Sequence, residues 1–81
     1  MNISIEFFGR QRIITGMAAI EMPINGNSTI GDVMEYIRGQ YPDLPLDEKT
    51  VLLIINQEMA SAQTTLKPND VVSFLPAIGG G

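Results

Sequence analysis

The last eight residues, Phe74-Leu75-Pro76-Ala77-Ile78-Gly79-Gly80-Gly81, offer the reactive group that stands out in this 81-residue sequence, an α-carboxylate borne on glycine. An apolar, strand-forming stretch runs directly into a tail without side chains, and Pro76 opposes further strand pairing. Six residues beyond Leu75 extend at most ~20 Å. That is enough to thread a terminal carboxylate into the active site of another protein, and glycine lets the backbone pass a narrow channel. Three glycines at a chain end are equally the composition of a frayed terminus, and composition alone leaves both readings open.

The rest of the chain offers little competing chemistry. There is no cysteine and no histidine, so a disulfide framework and Cys/His zinc sites are excluded. The two commonest side chains of nucleophilic and acid–base catalysis are missing with them. Asp43, Asp47 and Glu48 lack the spacing of a calcium loop and read as a solvated loop, so no metal is expected. Arg10, Arg12 and Lys67 read as solvated charges. Nine acids against five bases give a net charge of −4. That opposes nucleic acid as a partner and suits steering onto basic protein surfaces.

The elements that must position the tail are few. The length allows one small domain, and 44% hydrophobic residues give it a globular composition. No apolar run approaches a membrane span, and the N-terminus lacks a basic flank and a long apolar segment. The expectation is a cytoplasmic protein. Ile3, Ile5 and Phe7 alternate with polar residues and predict a first strand; Ala18, Ile20 and Met22 predict a second, with a turn at Gly16. The period then changes. Ile30, Val33, Met34 and Ile37 form one apolar helix face, with Thr29 as N-cap and Asp32 favouring the positive end of the helix dipole. Gly39, Pro42 and Pro45 end that helix, at roughly residues 30–40. Val51 to Ile55 is apolar on both faces and predicts a central buried strand. Asn56-Gln57-Glu58 turns it, a short strand is expected near Ser61 to Thr64, and Val71 to Leu75 makes the last one. Pro68 and Asn69 supply turn chemistry. Ile5, Phe7, Val33, Ile37, Leu53, Ile55, Val72 and Phe74 are the expected core. One helix covers one face of such a sheet and leaves the other to solvent or a partner.

In this order the motifs resemble the molybdopterin synthase small subunit (MoaD) family, within the ubiquitin-like β-grasp sulfur carriers. The resemblance spans essentially the whole chain. It rests on Phe7-Phe8-Gly9 with Arg12, Thr29-Ile30-Gly31-Asp32, Ile55-Asn56-Gln57, and Leu66-Lys67-Pro68-Asn69-Asp70-Val71-Val72 leading to the terminal Gly79-Gly80-Gly81. Asn69 stands where the family usually has glycine, and Ile13 where an acid is common. The resemblance implies an α+β, β-grasp fold: a mixed four- to five-stranded sheet with one main helix packed on one face. Residues 1–76 would form the domain and 77–81 a flexible Gly-Gly tail.

The resemblance also implies a chemistry. An ATP-consuming, ubiquitin-activating-like enzyme adenylates the carboxylate of Gly81, which is otherwise a poor electrophile, while Gly80 gives clearance. A persulfide sulfurtransferase supplies sulfur, AMP leaves, and the resulting thiocarboxylate delivers sulfur to a pterin precursor in the synthase large subunit. The chain would be a co-substrate with no bound cofactor and no catalytic side chain. Phe8, Met59, Leu75, Pro76 and Ile78 are the candidate partner-binding residues. Other readings stay open: a ubiquitin-like protein modifier, a sulfur carrier for thiamine, tRNA or cysteine synthesis, or a bare interaction domain.

Overall fold

The computed structural model describes residues 1–47 and 49–76. The elements run β1 (Asn2–Glu6), α1 (Arg10–Thr15), β2 (Ala19–Pro23), α2 (Ile30–Gln40), β3 (Val51–Ile55), β4 (Glu58–Met59) and β5 (Val71–Pro76). They build one five-stranded sheet in the order β2-β1-β5-β3-β4. The first strand is parallel to β5 and antiparallel to β2, and β3 is antiparallel to both β5 and β4. This is the expected mixed sheet with one main helix, a β-grasp fold.

The core follows from two periodicities meeting. Ile3 and Ile5 of β1, Phe7 just beyond it, Leu53 of β3, and Val72 and Phe74 of β5 turn to one sheet face. There they meet the Ile30, Val33, Met34 and Ile37 stripe of α2, and all ten are buried. Leu44, Leu46 and Leu66 close the rim. Phe7 packs edge-on against Tyr41, with ring centroids 6.0 Å apart. Of the expected core, Ile55 alone is half-buried, because it ends β3 beside the Asn56 turn.

The start of α2 is satisfied completely. Thr29 and Asp32 form a reciprocal capping box, with the Asp32 carboxylate accepting from Thr29 N at 2.9 Å. Ile30 N and Gly31 N, donors that a helix cannot satisfy internally, reach Thr64 O at 3.1 Å and Ala62 O at 2.9 Å. A Cβ on Gly31 would stand 3.3 Å from the Ala62 carbonyl oxygen. This close crossing of loop over helix explains the glycine in Thr29-Ile30-Gly31-Asp32.

Three sequence expectations are corrected. The central strand is β5, not β3. Leu52, 37% exposed, belongs to the uncovered sheet face, and β3 is bordered on its outer side only by the two-residue β4. The short strand lies at Glu58–Met59, while residues 61–64 form a loop whose carbonyls cap α2, followed by a single bridge between Thr29 and Thr65. Finally, β1 and β2 are joined through α1 rather than by a turn alone. Gly9, at φ +53, turns the chain out of the strand, and Gly16 N bonds Arg12 O at 2.8 Å to close the helix.

Candidate functional site

The sheet face away from α2 is left uncovered by the main helix. On it stand Glu6, Ile54, Val71, Ser73 and Leu75, with Phe8 at the top of β1. Together with Asn56 and Gln57 they line a shallow groove of about 620 Å³. Met59, 66% exposed, is the cross-strand partner of Ile54 and so shares this face. It borders a separate depression with Thr64, Thr65 and Lys67. Pro76 is the last residue of β5, exposed and level with Val51. It lines an apolar groove of about 360 Å³ with Phe8, Arg10, Leu44, Pro45 and Val51.

The structure therefore brings together three of the sequence candidates, Phe8, Leu75 and Pro76, at the root of the tail. Met59 lies further along the same sheet face. Ile78, Gly80 and Gly81 lie outside the described residues.

Local sequence explains why Phe8 is half out of the fold. Phe7 takes the core side, so the next side chain faces away. Its position is fixed by two residues of α1. The Arg12 Nε donates to Phe7 O at 2.8 Å, and its guanidinium lies 5.8 Å from the centre of the Phe8 ring, a cation–π stack. Arg12 is thus an exposed charge with a structural job, not merely a solvated one.

Gln11 is the residue that sequence reasoning missed. The last β1–β5 pair is Glu6 with Ser73, after which β1 leaves the sheet. The Phe74 carbonyl, one step on, has no strand to accept from. Gln11 Nε2 donates to it at 2.6 Å in the interior, while Gln11 Oε1 accepts from Phe8 N at 3.0 Å. One buried amide thus stands in for the missing strand and ties the Phe8 turn to the tail root. No periodicity marks such a role, because Gln11 sits in an unpatterned polar stretch.

A second device holds the far end of β5. Asn56 Nδ2 donates to Asp70 Oδ1 at 2.9 Å, and Asn56 Oδ1 accepts from Val71 N at 2.9 Å. Asn69, at φ +69, takes the left-handed conformation expected of it. Among the described residues no three Asp or Glu side chains gather as a metal site, and no helix is long and apolar enough to cross a membrane. The Ser73 hydroxyl on this groove has no histidine or lysine among the lining residues to activate it. What it can do is hold an apolar partner surface beside the chain end.

Comparison with known proteins fits this geometry. The sequence matches the model of the ThiS family over residues 5–81. The chain belongs to the ThiS family. It is a β-grasp sulfur carrier of the ThiS/MoaD type. A molybdopterin synthase sulfur carrier subunit of Mycobacterium tuberculosis is 28% identical over 61 residues, 75% of this chain and 74% of that protein. Small archaeal modifier protein 1 of Haloferax volcanii superposes with a TM-score of 0.81 at 16% identity, covering 95% of this chain and 98% of that one. A chain from the complex of subunits 1 and 2 of molybdopterin-converting factor of Helicobacter pylori superposes at 0.65 with 21% identity, covering both chains fully. These structural likenesses carry the fold.

Proposed function

We propose that this ThiS-family chain supplies sulfur for molybdopterin synthesis, with the carboxylate of Gly81 as the reacting group. The observation that carries the reading is the family match running through Gly80 and Gly81, on a fold whose last strand ends between Phe8 and Val51. The curated relative named as a molybdopterin synthase sulfur carrier subunit supports the choice of pathway.

The chemistry is acyl activation. A carboxylate resists nucleophiles because resonance and charge oppose attack. An activating enzyme couples it to ATP, forming the acyl-adenylate and releasing pyrophosphate. The terminal sulfur of a persulfide displaces AMP, and a thiol then cleaves the sulfur–sulfur bond to leave the thiocarboxylate. Within a synthase large subunit that sulfur passes to a pterin precursor and the carboxylate returns. The domain contributes binding and delivery: Phe8, Leu75 and Pro76 dock, and the residues beyond Pro76 reach. It binds no cofactor itself, because ATP belongs to the activating enzyme.

The test is mass spectrometry of the protein incubated with activating enzyme, ATP and a persulfide donor. The expected result is a gain equal to sulfur replacing oxygen at the C-terminus, abolished by deleting Gly81. The loaded form, given the large subunit and pterin precursor, turns over to molybdopterin. Sulfur loading without pterin turnover moves the function to another acceptor. Likeness to an archaeal modifier protein gives a second reading, in which the same acyl-adenylate acylates a lysine. Lysine adducts ending at Gly81, without thiocarboxylate, would select it.

A further inference from the structure

Strand register sets three side chains in a row across the uncovered sheet face. Glu6 of β1 pairs with Ser73 of β5, and Ser73 pairs on its other side with Ile54 of β3. Neighbouring strands lie ~4.8 Å apart, so Glu6 and Ser73 stand side by side. Val71 and Leu75 flank Ser73 along β5, and all of them line the larger groove. Ser73 is only 7% exposed, because the longer side chains around it stand higher. Among the described residues no hydrogen bond reaches its hydroxyl. Every fully enclosed polar side-chain atom among them has a partner, so this unpartnered hydroxyl opens into the groove. The surface is thus an apolar notch with a hydroxyl at its floor and a carboxylate on its wall.

Glu6 is the one charged residue among the described lining of this groove. The chain has five basic side chains, and none of them lines it. Arg12, stacked on the Phe8 ring, is tied by its Nε to Phe7 O, and Arg38 donates to Leu46 O at 2.7 Å. Arg10 and Lys67 line the other two depressions. Residue 48 and residues 77–81 contain no base. A cation for Glu6 therefore has to come from another molecule.

A partner that docks on Phe8 and Leu75 also covers Glu6, which lies on the same face beside them. Covering a carboxylate without pairing it is costly. We infer that the Glu6–Ser73 notch receives an arginine side chain of the partner protein. The planar guanidinium can take the Glu6 carboxylate with two N–H groups and give a third to the Ser73 hydroxyl. Its aliphatic stem then lies on Ile54 and Leu75. The notch selects partners by exclusion: an apolar surface without a cation at this point strands a buried charge. This deepens the delivery reading, and rests on it, by naming the partner group that the docking face demands.

Two measurements test it. The first titrates the full-length protein with N-acetyl-arginine methylamide at low ionic strength, followed by amide NMR. Saturable shifts are expected at Glu6, Ser73 and Ile54, absent with the neutral citrulline analogue and lost in Glu6→Gln. Shifts that persist in Glu6→Gln, or no shifts at these residues, would overturn the inference. The second is calorimetry with the synthase large subunit. Glu6→Gln should weaken binding roughly ten- to a hundredfold and Ser73→Ala about two- to tenfold, less than additively in the double variant. Glu21→Gln removes the same charge from the same face outside the groove and should stay within about twofold. Equal loss from Glu21→Gln would mean diffuse attraction and no notch. A lowered melting temperature in Glu6→Gln would mean that Glu6 serves the fold, which also refutes it. Glu6→Gln binding as tightly as wild type overturns the inference and leaves delivery intact. Wild-type protein that takes the arginine probe at Glu6 but ignores the large subunit refutes the delivery reading and leaves the notch standing.

Discussion

Replacing Gln11 by alanine should loosen the root of the tail far more than its place on a six-residue surface helix suggests. The side chain makes two hydrogen bonds, one to the buried Phe74 carbonyl at 2.6 Å and one from Phe8 N at 3.0 Å. Truncation leaves the Phe74 carbonyl buried without a donor, which costs ~1–3 kcal/mol. The part-buried Phe8 amide regains water and contributes about 1 kcal/mol more. The sum is roughly 2–4 kcal/mol, a large share of the ~5–15 kcal/mol expected of a whole domain. For a domain of this size it lowers the melting temperature by roughly 10–30 °C. Urea unfolding followed by far-UV circular dichroism measures the loss, with exposed Gln63→Ala as the control, expected within about 0.5 kcal/mol of wild type. Native-state hydrogen exchange should show the loss of protection concentrated at residues 74–76 and in α1. If Gln11→Ala matches the control, or if protection falls evenly across the sheet, then Gln11 does not substitute for a strand and the reasoning fails.

Other perturbations have defined outcomes. Thr29→Ala removes the side-chain half of the α2 capping box, leaving the backbone N–H at position 29 to donate to Asp32, and should cost ~1 kcal/mol in urea unfolding. Gln57→Gly should stabilise by a few tenths to ~1 kcal/mol, since Asn56 and Gln57 both have positive φ in a two-residue hairpin turn of the kind that prefers Asn-Gly. A loss there would mean that the Gln57 side chain matters more than its backbone. Phe8→Ala should weaken binding to the synthase large subunit by ~2 kcal/mol or more, read by calorimetry, with a much smaller effect on unfolding because the ring is 38% exposed. Equal losses in binding and stability would place Phe8 in the core instead.

The parts of this fold that were legible in the sequence are those where burial is periodic. Ile30, Val33, Met34 and Ile37 repeat with the helix, and Ile3, Ile5 and Phe7 with the strand, so α2 and β1 stand almost where periodicity places them. The cap was legible because Thr29 and Asp32 carry the chemistry that helix starts require. The short α1 was not. Six residues cannot sustain a helix alone, the segment begins with no side-chain cap, and Ile13 is 82% exposed, so its apolar pattern points nowhere. It exists because Gln11 and Arg12 bind backbone elsewhere, a tertiary cause with no local trace. The all-apolar run of β3 misled for a related reason. Leu52 and Ile54 are apolar on the uncovered face, where a periodicity argument sees only more core. At the candidate site, adjacency of Phe8 and Leu75 follows from β1 and β5 being neighbours, a pairing between the two ends of the chain that no local pattern specifies.

That pairing has a mechanical side. The first and last strands of the described fold lie side by side and run in the same direction, with Ser4, Ile5 and Glu6 matched to Val71, Val72 and Ser73. Tension between the start of β1 and the end of β5 acts along the strands. It loads their hydrogen bonds together in shear instead of opening them one after another like a zip. A machine that grips the tail and pulls against a domain held at its beginning meets this seam in shear, and the Gln11 strut to Phe74 lies across the same seam. Traction on β4 against β3, at the thin edge of the sheet, meets no comparable resistance, because only two residues of β4 are paired there. The carrier can thus be handled by its tail at forces that would strip it from its other border.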